Sequence, residues 1–285
     1  MNPNSLVNKE IISYYDNCQV DYSIVWHLKT HLSLHYGYWD EGTKRLRQAL
    51  IRMNDVLAEK AEITSSDTVL DAGCGVGGAA IFLAKKFDCR VEGITLSQKQ
   101  VEFGRQKSTE QDLDHKINFT VADFTKMPFE DESFDVVWAV ESVCHAGEKA
   151  DFLKEAFRVL KKGGRLITAD FYRTMEYPTE EANTWLTNWG RSWAVPEFEF
   201  IDNFGSKASE IGFRDISIKN ITKNIFPSAK RLYYCFVPGI ICDGFLRILG
   251  RRNKIHRANV WSTYYQYQSL KRNYWNYNIV KAIKN

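Results

Sequence analysis

The sequence predicts an α/β chain: a mostly parallel sheet with helices on both faces, preceded by aromatic-rich helices and carrying a long insertion before its last strand. Two observations lead there. Between residues 67 and 170, short apolar runs alternate with stretches of helical periodicity, and the first run ends in a cluster of glycines. Further on, two strand-like runs are separated by about 50 residues, far more than an ordinary connection needs.

A chain of 285 residues, 44% hydrophobic and 26% charged, can bury one large core with appended segments. The opening MNPNSLVNKE lacks a basic start followed by an apolar run, so a cytoplasmic address is expected. Six cysteines never form a C-x-x-C pair, which argues against both disulfides and a structural metal. The net charge of +3 hides an asymmetry: from Lys223 onward there are 12 Lys and Arg against one acid, Asp243. A basic face is expected on that side.

In order, Thr68 to Asp71 is a short strand, and Ala79 to Lys86 is helical. Arg90 to Ile94 is a second strand, followed by a helix from about Ser97 to Leu113. Ile117 to Val121 and Phe134 to Val140 are the third and fourth strands. A helix from about Lys149 to Leu160 is expected to close on Lys161-Lys162-Gly163-Gly164, basic residues and a left-handed glycine suiting a helix C-terminus. Arg165 to Asp170 is the fifth strand. Beyond it lie a helix at Asp202 to Ile211, a strand at Phe213 to Lys219 and a last strand near Tyr277 to Ile283. The expected division is a helical cap over 1–62, a core over 63–222 and 267–285, and a lid over 223–266.

Parallel sheets bind ligands at the carboxyl ends of their strands, so the loops after Leu70, Ile94, Val121 and Val140 are the place to look. Asp71-Ala72-Gly73-Cys74-Gly75-Val76-Gly77-Gly78 puts glycines where a strand turns into a helix and a ligand must approach backbone closely. Alone, that pattern fits a structural turn or a dinucleotide site as well. A nicotinamide reading wants an acid at the end of the second strand, and Glu92 lies two residues too early, most simply facing solvent.

VLDAGCGVGG, then GITLSQKQ, then VADF, at these spacings, resembles the class I S-adenosylmethionine-dependent methyltransferases, with their Rossmann-like seven-stranded sheet. The resemblance covers about residues 67 to 170. It implies that Gly73, Gly75 and Gly77 form the loop for the methionine end of the cofactor, with Asp71 orienting its amides and the ligand ammonium. Asp123 would accept from adenine, with Phe124 in apolar contact. Where many members carry an acidic ribose ligand this chain has Thr95 and Leu96; the GITLS form is like that of the cyclopropane-fatty-acid, sterol and tocopherol relatives, in which a Gln reaches the ribose, here Gln100.

Methyl transfer from a sulfonium has a good leaving group, so alignment, exclusion of water and removal of a proton are what remains for the protein. Glu141-Ser142-Val143-Cys144-His145-Ala146 follows the fourth strand and offers Glu141 and His145 as candidates. The loop looks like that of sterol side-chain methyltransferases; Cys144 stands where cyclopropane synthases have Glu, which argues against cyclopropane chemistry. Tyr14-Tyr15-Asp16 and His35 to Asp40 resemble segments that fold over the cofactor in the same group, and Tyr15 joins His145 and Glu141 as a catalytic candidate. Trp185, Trp189 and Trp193 recur every four residues as a helical stripe, mostly packing but placed where an acceptor cap belongs.

The expected reaction is methylation of a small, largely apolar, isoprenoid or lipid-like acceptor, in the first place at carbon; N- or O-methylation of a small polar metabolite is the rival. Nucleic acid is disfavoured, because Val140-Glu141-Ser142-Val143 replaces the (Asp/Asn)-Pro-Pro-aromatic loop of base-amino methyltransferases. In the lid, the apolar run Phe236 to Leu249 precedes Arg251-Arg252-Asn253-Lys254-Ile255-His256-Arg257, so peripheral contact with an anionic membrane is also expected.

Overall fold

The computed structural model describes residues 3–285, with side chains for residues 8–18, 20–28 and 30–285. Met1 and Asn2, where the reading of the N-terminus begins, lie outside the described residues. The N-terminal block forms α1 (Pro3–Val25), α2 (Leu28–His31) and α3 (Leu46–Ala61). Alternating elements follow: β1 (Thr68–Ala72), α4 (Gly78–Phe87), β2 (Arg90–Thr95), α5 (Gln98–Thr109), β3 (Ile117–Val121) and β4 (Phe134–Val140). A 3₁₀ turn (Val143–His145) leads into α6 (Lys149–Val159) and β5 (Leu160–Arg173). Then come α7 (Glu180–Ser192), α8 (Ile201–Ile211) and β6 (Phe213–Asn220). The insertion is helical, α9 (Thr222–Tyr234), α10 (Phe236–Ile248) and α11 (Lys254–Lys271), before β7 (Trp275–Lys284).

The seven strands lie in the order β3-β2-β1-β4-β5-β7-β6. All neighbours from β3 to β5 are parallel, and β7 runs antiparallel between β5 and β6. Side chains of period two split the interior into two layers. Val69, Val136 and Trp138 join Leu50, Met53 and Leu57 of α3 and Leu83 of α4 on one face. Leu70, Val137 and Ala139 join Phe152 and Leu153 of α6 and Phe204 of α8 on the other. The chain switches direction between β1 and β4, so the crevice that ligands favour opens at their carboxyl ends.

Lys161 to Gly164 do not cap a helix. Leu160 is already extended and pairs with Phe134, and the register slips before Val136 meets Arg165. Lys161 is held by the Asp135 carboxylate at 2.8 Å, and Gly163 takes φ +73° in the bulge. A bulge and a helix end ask for the same residues, which is why the pattern misleads.

Helix α1 lies across the loops that follow β2, β3 and β4. Asn8 Nδ2 donates to Asp123 Oδ2 (2.7 Å), Ser97 Oγ donates to Asp16 Oδ1 (3.1 Å), and Tyr15 bonds His145. Its other side meets the insertion: Tyr14 Oη donates to Asn259 Oδ1 (2.9 Å), and Asp21 pairs with Arg252. Arg252 thereby departs from the expected exposed basic run. Its side chain is nearly buried between Asp21 and the fully buried Asp243, whose ion-pair partners among the described residues are Arg252 at 3.9 Å and Arg257 at 3.7 Å. The tryptophan stripe is also divided. Trp189 is fully buried, stacked on Phe198 at 4.4 Å, whereas Trp193 stands just past the end of α7.

Candidate active site

The crevice at the carboxyl ends of β1, β2 and β4 is a cleft of about 940 Å³. Of the residues the sequence nominates, it gathers Asp71, Gly73, Gly75, Thr95, Leu96, Gln100, Phe124, Tyr15, Glu141 and His145 on one surface. Gly77 and Asp123 are not on it. Gly77 stands behind the loop at the start of α4 with φ +86°, where a Cβ would come within 2.5 Å of the Phe119 ring. The Asp123 carboxylate accepts from Thr125 N (2.8 Å) and Thr125 Oγ1 (2.7 Å) on one oxygen and from Asn8 on the other. Glu92 is half-buried, bonded to Asn118 of the neighbouring strand and away from the cleft.

Asp71, the penultimate residue of β1, is almost wholly buried, and its Oδ2 has no hydrogen-bond partner among the described residues. Burial pushes its carboxyl up to about 7, which its backbone hydrogen bond only partly counters. A buried carboxylate oxygen without a donor fits a cationic ligand group. Gly75, at φ +51°, has open space where a Cβ would stand, so ligand can approach the backbone. Thr95 Oγ1 donates to Gln100 Oε1 (2.6 Å), which fixes the amide by its oxygen in the cleft wall. Ser142 Oγ donates to Ala72 O (2.7 Å) and packs where a side chain at Gly73 would be, locking the β1 and β4 loops together. These groups fit the polar parts of S-adenosylmethionine: ammonium, ribose hydroxyls and backbone-hugging chain.

The β4 loop is held from several directions. Glu141 adopts φ +50°, uncommon outside glycine, and its Oε1 accepts from Tyr36 N (2.6 Å) and Tyr277 Oη (2.8 Å). Burial raises its carboxyl well above the usual range. His145 is oriented by Ala194: the ring Nδ1 and that carbonyl are 3.0 Å apart, so Nδ1 carries the proton and donates. Its Nε2 then presents a lone pair and accepts from Tyr15 Oη at 2.9 Å. Burial lowers the imidazole to about 4, so it is a neutral base at physiological pH. Lys149, nearly buried, donates to Cys144 O (3.1 Å), Ala146 O (2.6 Å) and Glu197 O (2.8 Å), tying this loop to the one that carries Ala194.

Tyr15, Leu34, Glu141 and His145 also line a smaller cavity walled by Tyr14, Tyr22, Trp26, Phe171 and Trp193. That cavity shares Tyr22, Trp26 and Trp193 with a third, about 950 Å³, between α1 and the inserted helices. The reacting end of the cleft is thus followed by an aromatic chamber and then by an apolar one. The residues that sequence reasoning missed are supports, Tyr277, Lys149 and Asn8, while Tyr36 lies in the nominated segment His35 to Asp40 but was not foreseen as a partner of Glu141. Of these, Lys149 carried a signal, a lysine three residues after the nominated loop where a solvated helix start is the default.

Among the described residues, no group of three or more His, Cys, Asp or Glu is placed to hold a metal ion, and no helix is long and apolar enough to cross a membrane.

The methyltransferase domain family matches residues 70–168. The 27-O-demethylrifamycin SV methyltransferase of Amycolatopsis mediterranei is 42% identical over 139 residues, about half of each chain (49% of this one, 51% of that). The chloroplastic tocopherol O-methyltransferase of Arabidopsis thaliana is 30% identical over 238 residues, 78% of this chain and 67% of that one. Geranyl diphosphate C-methyltransferase from Streptomyces coelicolor A3(2) superposes with a TM-score of 0.74 at 20% identity, covering 98% of both chains, a likeness of fold. With the glycine loop, the strand order and these relatives in agreement, the chain belongs to the class I S-adenosylmethionine-dependent methyltransferases.

Proposed function

We propose that this small-molecule methyltransferase methylates a hydroxyl oxygen on a bulky, largely apolar acceptor. The observation that carries the reading is His145, a buried neutral imidazole whose Nδ1 is committed to Ala194 O and whose Nε2 faces the junction of cleft and aromatic chamber. S-adenosylmethionine supplies an electrophilic methyl on a sulfonium, so no protein acid is needed for the leaving group. The acceptor's O–H proton goes to His145 Nε2 as the new O–CH₃ bond forms, and the Tyr15 hydroxyl gives up its hydrogen bond to make room. Asp71 meets the ligand ammonium, Gln100 Nε2 donates to ribose hydroxyls, and Thr95, Leu96 and Phe124 wall the cleft beside them. Asp123 is proposed for the adenine amino group; Asn8 donates to the same carboxylate, so α1 shares that acceptor with the ligand or yields it. The two relatives named as acting at oxygen support the choice of atom.

Carbon methylation, the first expectation, is favoured by one feature. The Glu141 carboxyl and the rings of Tyr14, Tyr15, Tyr22, Trp26, Phe171 and Trp193 surround the chamber, and aromatic faces stabilise a developing cation by about 0.5 to 2 kcal/mol each. Product analysis with carbon-13-labelled methyl donor separates a methoxy group from a carbon-bound methyl. For the oxygen reading, His145→Gln should cut turnover about 100- to 10,000-fold and leave affinity for S-adenosylhomocysteine within about twofold. Full turnover in that variant on a hydroxylated acceptor removes the base from the reading.

A further inference from the structure

Helix α10 carries an apolar face left exposed by the described residues. Val237, Ile241, Phe245 and Ile248 are 63%, 68%, 64% and 86% exposed, and at 100° per residue they fall within one quarter of the helix circumference. The stripe runs about 16 Å along the axis. Leu249 follows it, also exposed, and on α1 Ile24, which lines one cavity with Pro238 and Cys242, and Val20, one helical turn before it, are exposed too. A monomer has no structural use for so many large apolar side chains in water on one side.

Charge and continuity identify what covers it. The only acid between residues 223 and 266 is Asp243, and it is fully buried against Arg252 and Arg257. The exposed ionic groups at the end of the stripe, Arg247, Arg251, Lys254 and Arg257, are therefore all basic. The large apolar chamber is lined by Ile24 on α1 and by Pro238 and Cys242 on α10, all exposed, so its mouth opens beside the stripe. An apolar face rimmed by cations and leading to an apolar cavity fits a bilayer with anionic headgroups.

We propose that the α10 face, with Val20 and Ile24, docks on an anionic lipid surface and takes the acceptor from it through the chamber between α1 and α10. Resting on the apolar-acceptor reading above, it makes that acceptor a membrane-dissolved molecule. Trp26, Trp193 and Tyr22 then stand between the lipid-facing chamber and the reacting end. Arg252, committed to Asp21 and Asp243, holds α1 and α10 together and does not meet the headgroups.

Co-sedimentation with phosphatidylcholine vesicles, with and without phosphatidylglycerol, tests the docking without any turnover. The wild-type chain should pellet with the mixed vesicles and much less with the neutral ones. Arg247→Glu with Arg251→Glu should weaken partitioning at least about 25-fold, since each basic group near an anionic leaflet multiplies it about fivefold. Phe245→Asp with Ile248→Asp should abolish it while leaving the melting temperature unchanged, both side chains being exposed. Binding that the apolar pair leaves intact, or a wild-type chain that self-associates and stays in the supernatant, overturns the proposal. Transfer to a detergent-dispersed acceptor, measured alongside, would persist in that case if the function above is right.

Discussion

Asp71 should make cofactor binding depend on pH. Its carboxyl is buried, one oxygen is unpaired, and burial holds it at about 7 in the free protein. A ligand ammonium beside it favours the ionised form, so binding expels any proton it carries. The apparent dissociation constant is then multiplied by 1 + 10^(7 − pH), a factor of about 1.1 at pH 8, about 2 at pH 7 and about 11 at pH 6. Affinity should fall about tenfold, or about 1.4 kcal/mol, between pH 8 and pH 6. Titration calorimetry with S-adenosylhomocysteine at the three pH values reads this directly. Asp71→Asn keeps the shape, removes the titrating group and leaves the ligand's own titration in place. It should bind weakly at all three values, and the difference between the two profiles belongs to Asp71. The same burial has a cost in stability, because a carboxyl raised above its unfolded value stabilises the fold at low pH and loses that contribution as pH rises through about 7. The ligand-free Asn variant should therefore melt higher than wild type at pH 8, by a smaller margin at pH 5, and lose the advantage below the ordinary carboxyl value of 3.8. A wild-type profile that stays flat from pH 8 to pH 6, or an Asn variant that keeps the full slope, would show that the ammonium lies elsewhere.

Two glycines of the loop should separate binding from folding. Gly75→Ala places a methyl in open cleft, so S-adenosylhomocysteine affinity should drop while the melting temperature falls only by the cost of a left-handed alanine, about 1 kcal/mol. Gly77→Ala drives a Cβ against the Phe119 ring from an equally left-handed backbone, and thermal denaturation should show the larger loss, about 2 to 4 kcal/mol. Arg252→Met leaves Asp21 unpaired and the buried Asp243 with only Arg257 at 3.7 Å, so about 3 to 5 kcal/mol of stability should go. Adding Asp243→Asn should recover part of it, and a single Arg252→Met variant as stable as wild type would refute the burial argument.

What was legible in the sequence is what local pattern determines. Strands such as Ile117–Val121 and Phe134–Val140 have the bounds that their apolar runs suggest, and the glycine loop, Thr95 and Gln100 meet in one cleft because each ends or follows a parallel strand of the same sheet. Charge and polarity were legible by position and not by partner. A run of basic residues reads as a solvated face, yet Arg252 turns inward because Asp21 and Asp243 converge on it from α1 and α10. Asp123 occupies the expected place after β3, but its oxygens answer to Thr125 and to Asn8, 115 residues earlier.

The reaction loop carries the same lesson into chemistry. A glutamate and a histidine four residues apart suggest two bases, and the sequence offers no reason to rank them. Their partners do. Glu141 accepts from Tyr36, 105 positions earlier, and from Tyr277, 136 later, and both donors bind the same oxygen, so this carboxyl anchors the loop and β7 to the segment that walls the cleft. His145 spends only Nδ1 on backbone, and its Nε2 is covered by the hydroxyl of Tyr15 on α1. The helix that touches Asp123 through Asn8 therefore also covers the base, nearly two turns along. Under the proposed function, a displacement of α1 would release Asp123 from Asn8 and His145 Nε2 from Tyr15 together, and so would couple cofactor entry to readiness for the acceptor hydroxyl.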